Sequence, residues 1–279
     1  MTMSSDSGQD FLVTGLPRSG TTLTCHLLNK IPDSVALHEP MVPSILNHHS
    51  ASELAREIQQ FFAAQRNQIL TKGTARSKSW NGMVPSNPRG DGDQGGSRKR
   101  IINGTEISVT NVVSRNFSLY IKHPAFFTAA LSILSQEFKC FAIVRNPLSV
   151  LLSWRVADMA VTAGRMPAAE KFSPSLAASL NEESNVLERQ FILLDFCFAQ
   201  YACFLHGRTV KYEDIIYSRG RALSLLNPAA KQLNEPLESR NTQGVKSDFD
   251  AREIADKLLK RDSPCWSFYG RPDVEALFG

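Results

Sequence analysis

The sequence predicts an α/β fold, a single domain over residues 1–279 built on a central parallel sheet of about five strands flanked by helices. Three observations predict it. Short apolar runs alternate with helical patterns along the chain, those runs are apolar on both faces, and the first of them breaks at a glycine-rich turn that leads directly into a helix. Strands apolar on both faces belong to sheets covered on both sides, and strand–helix alternation is the pattern of parallel crossover units.

Each element has its own signal. Phe11 to Thr14 is a short apolar run ending at Gly15, and a helical pattern restarts through Leu23, Leu27, Leu28 and Ile31 until Pro32 stops it. Val35 to Leu37 reads as a second strand, and Ser52 to Gln65 as an amphipathic helix. Phe117 to Ile121 alternates as a strand, after which Pro124 opens a helix from Ala125 to Gln136 by occupying its first-turn region. Cys140 to Val144 is a continuous apolar strand, followed by an Asn146-Pro147 cap that starts a helix through Trp154. Asn185 with Glu188 begins the long apolar helix ending near Leu205, and Thr209 to Lys211 is a last short strand. A final helix around Asp250 to Leu259, with SPCWSFYG after it, is expected to pack back over the sheet edge. No internal repeat is present.

Composition excludes several classes. With 42% hydrophobic and 21% charged residues the chain is neither collagen-like, mucin-like nor wholly disordered. No run reaches the roughly 18 consecutive apolar residues that cross a bilayer. The most apolar stretch, Phe191 to Leu205, carries Asp195 inside it, so no membrane span is expected. No basic start or apolar segment precedes Phe11, which makes a cytoplasmic location the expectation. The five cysteines, at positions 25, 140, 197, 203 and 265, are odd in number and form no C-x-x-C pair, so buried free thiols are expected rather than disulfides or a zinc site. His48-His49 has no third ligand spaced with it and reads as surface; no metal is expected.

The formal charge of +4 is concentrated in residues 71–100, where Lys72, Arg76, Lys78, Arg89, Arg98, Lys99 and Arg100 face only Asp91 and Asp93. The rest of the chain is close to neutral. A nucleic-acid-binding face would spread through a domain, whereas this stretch is rich in Gly, Ser and Pro and poor in apolar residues. It reads as a mobile or disordered insert, with no nucleic-acid partner. A lid that orders over an anionic ligand is the other reading.

The most informative residues are Gly15-Leu16-Pro17-Arg18-Ser19-Gly20-Thr21-Thr22, between the first strand and the first helix. Backbone N–H groups of such a turn and of the helix N-terminus form a cradle for phosphate. The glycine spacing is that of the Walker A pattern, but Thr21 occupies the lysine slot, and the strand ending at Val144 leads into Arg145 rather than a magnesium-holding Asp. The loop is therefore suited to a nucleotide phosphate without a polyphosphate tail, with Arg18 as the available cation.

With this loop, PRSGTT followed by Leu23, the strand and turn FAIVRNP (Phe141 to Pro147) and VKYEDI (Val210 to Ile215), the chain resembles the sulfotransferases that use 3′-phosphoadenosine-5′-phosphosulfate. The resemblance covers most of residues 11–217 and implies the P-loop NTPase-like sulfotransferase fold. It implies that Arg18, Ser19, Gly20, Thr21 and Thr22 hold the 5′-phosphosulfate of the co-substrate, that Arg145 and Ser153 hold its 3′-phosphate, and that Tyr212 lies near the nucleotide. On residue type alone, an arginine at a strand end is most often surface and a mid-helix serine is most often inert.

Sulfuryl transfer to a hydroxyl needs a base for the acceptor proton and cations for the transferring group. Glu39, in HEP after the second strand, stands where the tyrosylprotein and carbohydrate branch carries a glutamate and is the favoured base. His38 and His123 are the competing candidates, because the cytosolic branch uses a histidine after its third strand. Lys122 ends the third strand, where related enzymes place a lysine on the sulfuryl group or the bridging oxygen, and ligands of open α/β sheets sit at the carboxyl ends of strands. Lys246, in SRNTQGVK, matches a nucleotide flap poorly.

Pro17-Arg18 replaces the proline-lysine of the cytosolic branch, and that branch's C-terminal Arg-Lys-Gly segment is missing. Met41 stands where tyrosylprotein enzymes have an arginine for acidic peptides. The expected acceptor is a hydroxyl on a sugar, lipid or small molecule, and the expected product is 3′,5′-adenosine bisphosphate. A divergent P-loop kinase and a non-catalytic nucleotide-binding module are the alternatives. Oligomeric state is not legible.

Overall fold

The computed structural model describes residues 9–41, 50–88, 101–112, 114–156, 158–241 and 249–277. Five parallel strands form the central sheet in the order β2-β5-β1-β6-β7. In chain order the first elements are β1 (Asp10–Gly15), α1 (Thr21–Leu28), β2 (Ser34–His38), α2 (Ala51–Lys72), β3 (Thr74–Ser79), β4 (Gly104–Ser108) and β5 (Ser118–Lys122). Then come α3 (Pro124–Ala129), α4 (Leu131–Glu137), β6 (Lys139–Val144), α5 (Pro147–Arg155), α6 (Pro167–Phe172), α7 (Pro174–Glu182) and α8 (Val186–Phe204). The chain continues through β7 (Thr209–Lys211), α9 (Tyr212–Tyr217), α10 (Phe249–Leu259) and α11 (Arg271–Glu275), with short 3-10 turns between them.

The apolar runs became buried strands because each is covered on both faces. β1 is central, with Leu12 and Val13 fully enclosed between β5 and β6, and Phe11 stacks on Tyr120 at 4.7 Å between ring centroids. Burying a side chain of this size stabilises by about 1.5–3 kcal/mol. Helix starts follow the caps expected from sequence. Asn146 accepts from the N–H groups of Leu148 and Ser149, and Asn185 from those of Leu187 and Glu188, each satisfying donors that a helix leaves unpaired.

Three elements depart from the sequence reading. The first helix stops at Leu28 because the Asn29 amide turns to β2, accepting from Ala36 N–H at 2.6 Å and donating to Ala36 C=O at 3.0 Å. The expected helix from Ala125 to Gln136 is divided at Ala130, with α3 lying on β1 and α6 and α4 on α2, β6 and α8. The stretch 71–100 is not one mobile insert: α2 runs on to Lys72, β3 pairs antiparallel with β4, and Trp80 bridges Met83. Residues 89–100 of that stretch, His48-His49 and Lys246 lie outside the described residues. The C-terminal segment packs as expected beside the β7 edge, with α10 against α5 and Tyr269 donating to Glu213 just beyond β7. Among the described residues no helix is long and apolar enough to cross a membrane.

Candidate functional site

Parallel strands deliver their carboxyl ends to one rim of the sheet, and the sequence-predicted residues collect there. The glycine-rich loop follows β1, Glu39 follows β2, Lys122 closes β5, Arg145 follows β6 and Tyr212 follows β7. In the strand order the chain steps outward from β1 to β2, returns through β5, and crosses to β6 on the other side of β1. Such a reversal opens a crevice at the carboxyl ends, the usual ligand position in open α/β sheets. A cavity of about 960 Å³ occupies it, lined by Arg18, Gly20, Thr21, Thr22, Glu39, Lys122, Arg145 and Tyr212. Ser19 and Ser153 are not among its lining residues.

On the β1 side the loop is held rigidly. Gly15 has φ 150°, and a Cβ there would run into the Ile143 carbonyl oxygen; Gly20 has φ 90°, and its Cβ would sit 2.6 Å from the Tyr212 ring. Only glycine lets the two strand ends and the ring approach this closely. Ser19 Oγ donates to Ile143 C=O at 2.7 Å, so its hydroxyl ties the loop to β6. Trp154 Nε1–H, fully buried, donates to Pro17 C=O at 2.8 Å. Gly20 provides no side-chain cap for α1, and the first turn of α1 has no acidic residue. The N–H groups of that turn, with the positive end of the helix dipole, are open to an anion.

Arg145 is buried, yet none of its three bonds among the described residues ends on a carboxylate. Nε donates to Asn241 Oδ1 at 2.7 Å, Nη1 to Arg18 C=O at 2.9 Å, and Nη2 to Arg240 C=O at 2.9 Å. Its guanidinium lies 4.8 Å from the Tyr212 ring centroid. Burial pulls its pKa below that of an ordinary arginine, while Tyr212 and Glu213 favour the charged form. Ser153 Oγ accepts from Arg18 Nε at 3.0 Å, so Arg18 joins Arg145 and Ser153. Behind them Glu213 accepts from Asn241 Nδ2, Asn146 N–H and Tyr269 Oη, at 2.6, 3.0 and 2.8 Å. Asn241 and Glu213 were not legible as supports for the arginine, although both lie in segments that the sequence flagged for other reasons.

On the β2 side the chemistry is different. Glu39 adopts φ 45°, a left-handed conformation that costs a side-chain-bearing residue about 1–3 kcal/mol and recurs at functional positions. Its N–H continues the β2–β5 ladder by donating to Lys122 C=O at 2.9 Å, and the turn throws the carboxylate into the cavity. Lys122 Nζ meets Oε1 at 3.0 Å, Lys78 Nζ meets Oε2, and His38 Nε2 stands 3.5 Å from Oε1. Burial alone would raise the Glu39 pKa, but Lys122, His38 and Lys78 outweigh it and hold the carboxyl well below the usual carboxylate range.

The two histidines, the competing candidates, are both held neutral by burial. His123 Nε2 accepts from Met41 N–H at 3.2 Å, using the lone pair a base would need, and burial lowers its pKa to about 3. His38 is 3% exposed, its pKa is lowered by burial to about 4, and Nδ1 has no partner among the described residues. On this side Lys78 is the residue that sequence reasoning missed. It lies on β3, TARSKS, whose buried positions Ala75, Ser77 and Ser79 are too small and polar to register as an apolar alternation.

A family model for the sulfotransferase domain matches residues 8–206. No curated protein matches the chain. Among solved structures, the sulfotransferase domain of the Synechococcus PCC 7002 olefin synthase aligns with 97% of this chain and 93% of its own at 14% identity, with a TM-score of 0.38. The sulfotransferase STF1 of Mycobacterium tuberculosis aligns with 98% of this chain and 77% of its own at 14% identity, with a TM-score of 0.31. The family model spans well over half of the chain, including the glycine-rich loop, Glu39, Lys122 and Arg145, and the chain belongs to the sulfotransferase family.

Proposed function

We propose that the protein transfers a sulfuryl group from 3′-phosphoadenosine-5′-phosphosulfate to a hydroxyl acceptor, with Glu39 as general base. The observation that carries this reading is the meeting, in one cavity, of an uncapped phosphate-type loop and a carboxylate held between two lysines. When bound, the donor supplies a sulfuryl group that passes to the acceptor oxygen as its bond to the 5′-phosphate oxygen breaks. The first-turn N–H groups with Arg18, Thr21 and Thr22 hold the 5′ end, and Ser19 keeps their loop in place. Arg145, with Ser153 through Arg18, serves the 3′-phosphate, and Tyr212 flanks the nucleotide. Lys122 offers its cation to the transferring group, which relieves Glu39 of one counter-charge and strengthens it as a base.

Arg145 supports the fit to the donor: it is a desolvated cation bonded, among the described residues, only to neutral acceptors, and it retains the capacity to pair with an anion. Thr21 in place of the Walker lysine, and Arg145 in place of the magnesium aspartate, weigh against a kinase. The acceptor side of the cavity mixes apolar Met41, Ile102, Phe126 and Met159 with Ser86 and Asn87, which suits a partly apolar hydroxyl compound.

The test is transfer of radioactive sulfur from labelled donor to a panel of phenols, lipids and sugars. Labelled product is expected with at least one class, and Glu39→Gln should lower its formation by about 10²–10⁴ while leaving 3′,5′-adenosine bisphosphate binding intact. Bisphosphate binding with no labelled product or released sulfate would favour the non-catalytic module, and hydrolysis of ATP with magnesium would favour the kinase.

A further inference from the structure

The two lysines on Glu39 address different oxygens from different depths. Lys122 is 3% exposed, comes from β5 at the centre of the rim and holds Oε1. Lys78 is 35% exposed, comes from the β3–β4 ribbon beyond the sheet edge and holds Oε2. The ribbon is fixed to the sheet at this point, since Ser77 Oγ accepts from His38 N–H at 2.9 Å. Its residues Ser77, Lys78 and Thr105 all line the cavity. The donor reading takes Lys122 away from Oε1 but gives no task to Lys78.

Resting on that reading, we infer that Lys78 is a positioning residue that pins Oε2 of Glu39 and so leaves Oε1, once Lys122 has turned to the donor, as the atom that takes the acceptor proton. Once Lys122 leaves, Oε1 keeps the longer 3.5 Å approach of His38 Nε2, so the ion pair at Oε2 is the stronger restraint on the carboxylate's rotation. With one oxygen fixed, the other keeps its direction into the cavity. The positioning works through the lysine's charge, which a neutral side chain of the same length does not carry.

The groups facing Glu39 are Lys78 from β3, Lys122 from β5, His38 beside it, His123 after β5, and Cys25 on α1. Both histidines and Cys25 are buried and uncharged near neutral pH, leaving the lysines as the local cations. Arg76, two residues before Lys78, also borders the cavity. An opposite charge this close lowers a carboxyl pKa by about 1–3 units, so loss of Lys78 must raise that of Glu39.

The experiment is a carbon-13 NMR titration of glutamate-labelled protein, free and saturated with 3′,5′-adenosine bisphosphate, in which the Glu39 carboxyl signal is the one removed by Glu39→Gln. Lys78→Met should raise the titration midpoint by about one pH unit in both states, with Lys78→Gln doing the same and Lys78→Arg keeping the wild-type midpoint. A lysine that pairs with Glu39 without orienting it would raise the midpoint yet leave kcat unchanged at neutral pH, where Glu39 is ionised in every variant, whereas a positioning lysine lowers kcat there in Lys78→Met and Lys78→Gln, with the donor KM unmoved and Lys78→Arg restoring the rate. An unchanged midpoint in Lys78→Gln, or a rise in Lys78→Arg equal to that in Lys78→Met, overturns the inference. Absence of any bisphosphate-induced change in the wild-type spectrum would instead count against the donor reading, and the free-protein titration would still judge the Lys78 contact.

Discussion

The two halves of the cavity are built on opposite principles. Around Arg145 the first partners are neutral and rigid: the guanidinium is bonded to two carbonyls and an amide, the loop to β6 through Ser19, and Pro17 to Trp154, with the Glu213 carboxylate one step behind. Around Glu39 the groups are charged, the backbone is left-handed, and the bonds are ion pairs that a ligand can exchange. Fixed dipoles suit a group that is bound unchanged through turnover, whereas exchangeable ion pairs suit atoms whose charge must change during reaction. On the proposed reading, binding and chemistry are separable, and substitutions should separate them.

The largest effect should come from Glu39→Gln. Its rate loss of about 10²–10⁴ should appear with bisphosphate affinity preserved, as measured by calorimetric titration. A parallel loss of affinity would mean that the two halves are not independent.

Acidification should act next, and on the Glu39 side first. His38 and His123 have folded pKa values of about 4 and about 3, below the 6.5 of the unfolded chain. The unfolded state therefore binds protons first, and stability present above pH 6.5 is lost as the pH falls toward those values. The slope is about 1.4 kcal/mol per pH unit for each histidine. Glu39, also lowered, adds to the loss only below about 4.5. Urea midpoints should decline between pH 6.5 and 4.5 in the wild type, and less steeply in His38→Gln. An equal decline in that variant would remove His38 from the account.

Gly20→Ala should be the smallest of the three, and confined to the Arg145 side. At φ 90°, with the new Cβ against the Tyr212 ring, a cost of about 1–3 kcal/mol is expected in chemical denaturation, together with weaker bisphosphate binding. The Glu39 titration midpoint should not move.

Legibility in the sequence follows the same division. The strand, loop and helix around Gly15 to Thr22 were readable because glycine spacing and apolar periodicity report backbone requirements directly. Asn146 and Asn185 were readable as caps for the same reason. Ser19 was placed at the ligand by resemblance, yet its hydroxyl bonds Ile143 C=O, since sequence does not say which way a small side chain points. Lys78 was hidden because a strand of buried serines and an alanine has no hydrophobic signature, and its positive neighbours made the segment look like a solvated loop. Its β3–β4 ribbon is stabilised by pairing and by the polar contact from Ser77 rather than by a large apolar face. The division at Ala130 was equally silent, because alanine favours helix and the break answers to packing on two different layers.

The most direct measurement is a thermal-shift titration of the wild type and Arg145→Ala with 3′,5′-adenosine bisphosphate, against ATP with and without magnesium. The account predicts stabilisation by the bisphosphate, about 2.7 kcal/mol at ~100 times its dissociation constant, and its loss in Arg145→Ala. Stabilisation only by ATP with magnesium, or a bisphosphate response that survives Arg145→Ala, would contradict it.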